Sequence, residues 1–333
     1  MRRSSVSRLG EEHKAIVQLQ TDDKFAILTI DRCVGAPGVD FQLSDGTEVL
    51  SSFPAGLTQR WQAWLGEGRT GALARSNIAI FRKISHSLPG NLDDEHTELK
   101  QYVWDIFCLL QLSGPLHYQG ASILLGRRET QGDFISQITD LQDFHPTKGD
   151  AATAVTLDRF EEAVAARGVR HRLSASPEYA RFTRGARIVV EAIAEWHGAE
   201  RLHQFVRALE ALTFPEIQKT RRQFVNRCKA LTSGATGSGY VLGQIYDMRS
   251  DVEHVHELSR SIQFIPATSR EDVALRRTRQ AQQLACSAYR RLYANGALLL
   301  EFETDDKIRA FWKQDEPTLR QAFGVPLNLL TVT

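Results

Sequence analysis

The segment IYDMRSDVEHVHEL holds Arg249 five residues before His254, with Ser250 beside the arginine and a second histidine, His256, two positions further on. A guanidinium stays charged and meets phosphate oxygens two at a time, whereas an imidazole exchanges protons near neutrality. Together they suit a phosphodiester: the arginine holds charge growing on the phosphoryl oxygens and the histidine moves a proton. Such a site is expected to need neither metal nor cofactor. Short spacings of this kind recur by chance, and Arg8 and His13 repeat it in a polar stretch. The competing reading is an exposed helix face on which Asp251 and Glu253 balance the charge of Arg249. On an unbroken helix, position i+5 points about 140° away and i+7 returns to within about 20°, so His256 is the rival of His254.

The elements that must position these residues read as helices. TLDRFEEAVAARG opens on Thr156 as an N-cap and closes on Gly168, and the run from Ser176, with Pro177 at its first turn, extends to Gly198. AERLHQFVRALEALT and FPEIQKTRRQFVNRCKALT follow, SGATGSG interrupts, GYVLGQIYDMRSDVEHVHEL resumes, and the longest run extends from Thr268 to Phe302. Five main helices are enough for a bundle. The glycines of SGATGSG join two helices with no preceding strand and no following Lys-Ser/Thr, which argues for a connector and against a phosphate-binding loop.

Three blocks resemble the HEPN superfamily of ribonucleases, in the order that family shows. FVRALEAL (205–212) resembles its "ALE-L" helix, RRQFVNRCKAL (221–231) its "F-x-x-R-x-x-x-L" helix, and IYDMRSDVEH (245–254) its late helix with an Arg-Ser-x-x-x-His signature. The resemblance covers about 50 residues and departs from the pattern at Val255, where a small residue commonly follows the histidine. It implies that Arg249 and His254 are a catalytic pair with Ser250 as the adjacent polar residue, and that Glu210 and Arg227 support them. It further implies a metal-independent endoribonuclease acting on an RNA such as tRNA or mRNA, a homodimer formed through the HEPN-like domain, and service as a toxin or anti-phage effector answering a phage-derived trigger or a regulatory partner. A catalytically inactive HEPN-like dimerisation or nucleotide-binding adaptor is the alternative.

The charge pattern adds RNA-binding candidates. The net charge is only +1, which excludes a globally basic coat for nucleic acid, yet no acidic residue occurs between Glu216 and Asp247, where Lys219, Arg221, Arg222, Arg227 and Lys229 fall; of these, Lys219, Arg221 and Arg222 are the RNA-binding candidates. Nine of the 41 basic residues are lysine, an arginine bias that suits phosphate and also fits genomic composition. Tyr246, one helical turn before Arg249, is placed to lie beside the pair.

The first part of the chain reads differently. KFAILTID, NIAIFR and HYQGASILLG are strand-like, FQLSDGTEVLSSF is a hairpin turning at Asp45-Gly46, and HTELKQYVWDIFCLLQL shows helical spacing. FHPTKGDAATA, with Pro146 and Gly149, separates this from the helical part. The expected architecture is an α+β sensing or regulatory domain over residues 1–150, then an all-α HEPN-like bundle over 151–333. Four scattered cysteines suggest neither a disulfide framework nor zinc, and His117, His145, His197 and His203 have no partner at metal-ligand spacing. No apolar run is long enough to span a membrane and MRRSSVSRLGEEHK has no apolar core behind its charges, so a cytoplasmic location is expected.

Overall fold

The computed structural model of the chain describes residues 19–54, 59–85, 93–129, 132–141, 144, 152–254, 256, 258 and 260–332. The Arg8/His13 spacing, His145, the breakers Pro146 and Gly149, and Val255 lie outside them. Contacts divide the chain into two compact units: Met1–Leu110, Leu116–Asp143 and Ala152–Val164 in one, Gln111–Pro115, Phe144–Ala151 and Ala165–Thr333 in the other. The first unit thus runs on past the compositional break at 150/151 to Val164.

The first unit is built on β1 (Lys24–Asp31), β2 (Phe41–Gln42), β3 (Glu48–Leu50), α1 (Gln59–Ala74), β4 (Ser76–Ile84), α2 (Asp94–Leu110), β5 (Gly120–Glu129) and β6 (Gly132–Asp140). The strands form one antiparallel sheet in the order β2-β3-β4-β1-β5-β6. All eight residues of β1 are buried, as a central strand covered on both faces requires. Phe25 and Ile27 join Phe81, Leu124 and the α1 residues Leu65 and Leu73 in one core, while Ala26, Leu28 and Ile30 point to the opposite face, where α2 packs.

The four strand-like segments and the helix before β5 appear where the sequence predicts them. Two elements do not announce themselves. Helix α1 is interrupted at Gly66 (φ 79°, ψ 166°), a conformation that glycine adopts without steric cost, and Gly68 and Gly71 further dilute its helical pattern. Strand β6 is an edge strand whose two faces both carry polar residues, so it lacks the clean alternation of a half-buried strand.

Helix α3 (Leu157–Ser174) begins where Thr156 Oγ1 accepts the Arg159 N–H at 3.5 Å and continues through Gly168, where an end was expected. The second unit then contains α4 (Ala180–Ala194), α5 (Gly198–Thr213), α6 (Thr220–Lys229), α7 (Ser238–Glu253), α8 (Ala267–Ala294), α9 (Gly296–Leu300), α10 (Asp305–Phe311) and α11 (Glu316–Phe323). The run expected from Ser176 to Gly198 instead opens with a separate 3-10 turn at Pro177–Tyr179 and ends at Ala194, because Glu195 turns extended; Gly198 starts α5. The long final run divides at Asn295 (φ −125°, ψ 95°), whose side chain caps α9 by accepting the Leu298 N–H.

Helix α5 is the hub, packing against α4, α6, α7 and α8. It buries Leu202, Phe205, Val206, Leu209 and Leu212, each worth about 1.5–3 kcal/mol when fully withdrawn from water. The α4 backbone comes close at Gly185, where a Cβ would lie 1.8 Å from the Tyr289 hydroxyl and 2.9 Å from Ala211 Cβ. That hydroxyl donates to the Ala208 carbonyl at 2.9 Å, so aromatic packing and a buried hydrogen bond both depend on the missing side chain.

Candidate functional site

Arg249 stands on α7 and reaches back to α5. Its guanidinium donates to Glu210 at 3.0 Å and to Glu253 one turn along its own helix, and it lies 5.8 Å from the Tyr246 ring centroid. Its side chain is 13% exposed and that of Glu210 is 17% exposed. Burial pushes the Glu210 carboxyl above its ordinary value in spite of the opposing charge of Arg249, and the Glu253 charge adds to the rise. Burial likewise raises the Tyr246 hydroxyl, with the Glu210 charge reinforcing it. Arg249 Nε is buried and has no hydrogen-bond partner among the described residues. The guanidinium therefore keeps one donor that its two carboxylate partners do not use.

The groove has a volume of about 570 Å³ and its walls come from α4, α5, α6 and α7. Five residues singled out in the sequence meet there: Arg249, Ser250, His254, Glu210 and Tyr246. The helix does not continue unbroken to His254. Glu253 is the last residue of α7 and His254 is the C-cap (φ −93°, ψ 15°), its N–H still bonded to the Ser250 carbonyl, so the helix stops short of His256 and the return at i+7 that favoured His256 does not apply. His254 lines the groove and is exposed; His256, 6.5 Å away between ring centroids and also exposed, is not part of its lining. Asp251 is not the balancing charge of Arg249, because its carboxylate accepts the Ser261 N–H at 2.8 Å and the Ser261 hydroxyl.

Three further arginines enter the groove: Arg181 and Arg184 from α4 and Arg207 from α5. Arg184 and Arg207 are exposed and form no salt bridge or side-chain hydrogen bond with another described residue. Helical spacing could have placed Arg207 on the face of Glu210, three residues apart, but which helix α5 meets is not a local property. Arg181 is held by Asp305 through two hydrogen bonds, at 2.6 and 3.1 Å, and stacks 4.0 Å over Phe214. Phe214 closes α5 in the left-handed region (φ 43°, ψ 61°), a conformation that costs a non-glycine residue about 1–2 kcal/mol and that turns its ring under Arg181 and Arg309.

The remaining basic candidates are distributed elsewhere. Arg227 donates to the Thr213 and Phe214 carbonyls at 2.6 Å each, so it fastens the end of α5, and burial lowers its pKa. Arg221 is gripped by Asp247 at 2.6 and 2.7 Å. Lys219 and Arg222, with one side of Arg227, line a second cleft. Among the described residues no three His, Cys, Asp or Glu side chains are grouped as metal ligands, and no helix is long and apolar enough to cross a membrane.

Fold and groove together define a chain with an antiparallel sheet unit and a helical unit whose arginine-lined groove also presents an exposed imidazole. Comparison with protein-family models, with curated proteins and with solved structures finds no match.

Proposed function

We propose that the helical unit is a HEPN-like, metal-independent endoribonuclease that cleaves RNA through its own 2′-hydroxyl. The observation that carries this reading is the convergence of Arg249, His254 and Ser250 on one groove with two exposed arginines that form no salt bridge with another described residue. A phosphodiester bound there meets cations suited to its non-bridging oxygens, with Arg249 fixed by Glu210 and an imidazole close enough to the surface to exchange protons with substrate or water.

In the first step the 2′-oxygen bonds to phosphorus and passes its proton to the His254 imidazole. The bond from phosphorus to the 5′-oxygen breaks, and that oxygen takes up a proton from a second imidazole or from water. The products are a 2′,3′-cyclic phosphate and a 5′-hydroxyl. Charge on the phosphoryl oxygens in between falls to Arg249, assisted by Arg184 and Arg207. Two copies of the groove facing each other in a homodimer would supply the second imidazole. In this reading the sheet unit receives a phage-derived trigger or a regulatory partner, and the protein acts as a toxin or anti-phage effector.

The test is sequencing of RNA 3′ ends, with cyclic phosphates captured selectively, after expression of the wild type and of Arg249→Ala. New cyclic-phosphate ends are expected with the wild type alone. Cleavage that persists in a folded Arg249→Ala/His254→Ala protein overturns the reading. One observation favours the non-catalytic adaptor: two carboxylates already hold Arg249. In that case RNA binds, no ends appear, and binding survives Glu210→Gln.

A further inference from the structure

The helical unit has a second cleft, of about 770 Å³, whose contents the cleavage chemistry does not use. One wall is α6, which contributes Arg222, Gln223, Asn226 and Arg227, preceded by Lys219; the other is formed by Trp312, Gln314, Glu316 and Leu319. Its charge is cationic in practice. Glu316, the one carboxylate in its lining, is neutralised by Arg320 at 2.7 and 2.8 Å. Arg222 is exposed and forms no salt bridge or side-chain hydrogen bond with another described residue. Among the described residues, the salt bridge of Lys219 is an exposed contact with Glu216 at 3.3 Å, a kind of pair worth little against competition from a phosphate.

The two clefts share a border. Thr220, the first residue of α6, lines the groove of Arg249, whereas its neighbour Lys219 lines the second cleft. The partition beside them is the Phe214 turn: its ring lines the first groove and its carbonyl is held by Arg227 from the second. A polyanion leaving the first groove over the start of α6 therefore meets Lys219 and then Arg222 without crossing an unpaired carboxylate of either lining. Asn226 and Gln314 put amide groups where base edges of an unpaired strand would lie. The Trp312 ring is buried and its N–H donates to the Leu212 carbonyl at 2.8 Å, so stacking on it is not the means of recognition.

We infer that the second cleft is an exosite for the sugar-phosphate backbone of single-stranded RNA flanking the scissile linkage, with Lys219 and Arg222 as its phosphate contacts. This rests on the ribonuclease reading for what occupies the first groove, but the binding prediction stands apart from cleavage. Arg221, although adjacent in sequence, is committed to Asp247 and lies outside the lining.

The test uses the full chain and fluorescent 2′-O-methyl oligouridylates, whose blocked 2′-oxygens cannot attack, of about three and about twelve nucleotides, the first shorter than usual single-strand sites and the second within their range. Fluorescence anisotropy across a salt series is expected to show tighter binding of the longer probe. Lys219→Ala/Arg222→Ala should weaken the longer probe about tenfold, remove its advantage over the shorter one, and reduce the salt slope by about 0.7 per removed charge. Both substituted side chains are solvent-facing, and circular dichroism checks that the fold is retained. An unchanged slope and length advantage in the folded double variant overturns the exosite, even if wild-type cleavage is found. A lost length advantage in a protein that never cleaves RNA supports the exosite and removes the ribonuclease reading instead. If the variant weakens double-stranded RNA as strongly as the single strand, the assignment to an unpaired strand is overturned.

Discussion

Each unit of this protein contains a cation clamped between two carboxylates, and the two clamps behave in opposite ways. In the sheet unit, Lys24 is 1% exposed and donates to both Asp93 and Glu95. Burial pulls its ammonium down, yet hydrogen bonds and charge from those partners leave it above its ordinary value, and the bond from Lys24 holds Asp93 well below the usual carboxylate range. Asp93 also accepts the His96 N–H at 3.2 Å at the start of α2, so the cluster ties strand to helix. In the helical unit, Arg249 sits between Glu210 and Glu253, but Glu210 is pushed up, the arginine Nε–H has no partner among the described residues, and an exposed histidine lines the same groove. A buried clamp between strand and helix fastens structure; one that borders an open groove keeps a charge available for something else.

The contrast can be broken most forcefully at the cations themselves. Arg249→Ala is expected to lower single-turnover cleavage of RNA about 10³-fold, an effect of about 4 kcal/mol on the transition state, with a smaller loss of urea midpoint than Lys24→Met because Glu210, already pushed up, can take a proton when its partner is removed. Lys24→Met should leave cleavage by the folded fraction intact and cost about 3 kcal/mol of stability in denaturant titration, because removing one partner strands Asp93 and Glu95. If Lys24→Met is stable and Arg249→Ala unfolds the chain, the roles given to the two clamps are reversed.

The pH dependence sharpens the same comparison with smaller effects. Folding holds Asp93 ionised more firmly than the unfolded chain does, so its contribution is present above pH about 4 and is lost as pH falls through its depressed folded value. Asp93→Asn keeps an acceptor for the helix cap and is expected to cost about 1–2 kcal/mol at neutral pH, after allowance for a side chain a third of which faces water. Glu210 has the opposite sign: its ionisation opposes folding as pH rises through its raised folded value, and acid relieves that cost. Glu210→Gln should therefore not lower the thermal midpoint at pH 7. Loss of stability in Glu210→Gln larger than in Asp93→Asn would contradict the assignment. The smallest effect is expected at Arg221, where Arg221→Ala removes an exposed pair and should change stability by under about 1 kcal/mol and RNA affinity less than Arg222→Ala does.

The sequence was legible where local chemistry and burial coincide. KFAILTID reads as a buried strand because its apolar run is also a central strand, and the Asp45-Gly46 pair marks a hairpin that pairs Phe41 with Val49. It was less legible where a local pattern stops for a reason that is not apolar periodicity: the break at Gly66, the extended Glu195, and Asn295 turning one apparent helix into two. The site shows the same division. Arg249, Ser250, His254, Glu210 and Tyr246 could be named from spacing and resemblance, but the adjacent cations Lys219, Arg221, Arg222 and Arg227 look alike in sequence. They separate into an exosite pair, a surface ion pair and a clamp on the end of α5.

By itself the sequence determined the order of a strand-rich part and a helical part, and set an arginine and a histidine close together late in the chain, because hydrophobic period and helix caps are written in neighbouring residues. Only the tertiary structure decided that α7 ends before His254, that Glu210 from α5 holds Arg249, and that Arg184 and Arg207 face the same groove. Those relations depend on which helix surfaces meet, and packing between elements distant in the chain is set by the complementary shapes of their buried faces rather than by the residues next to each side chain.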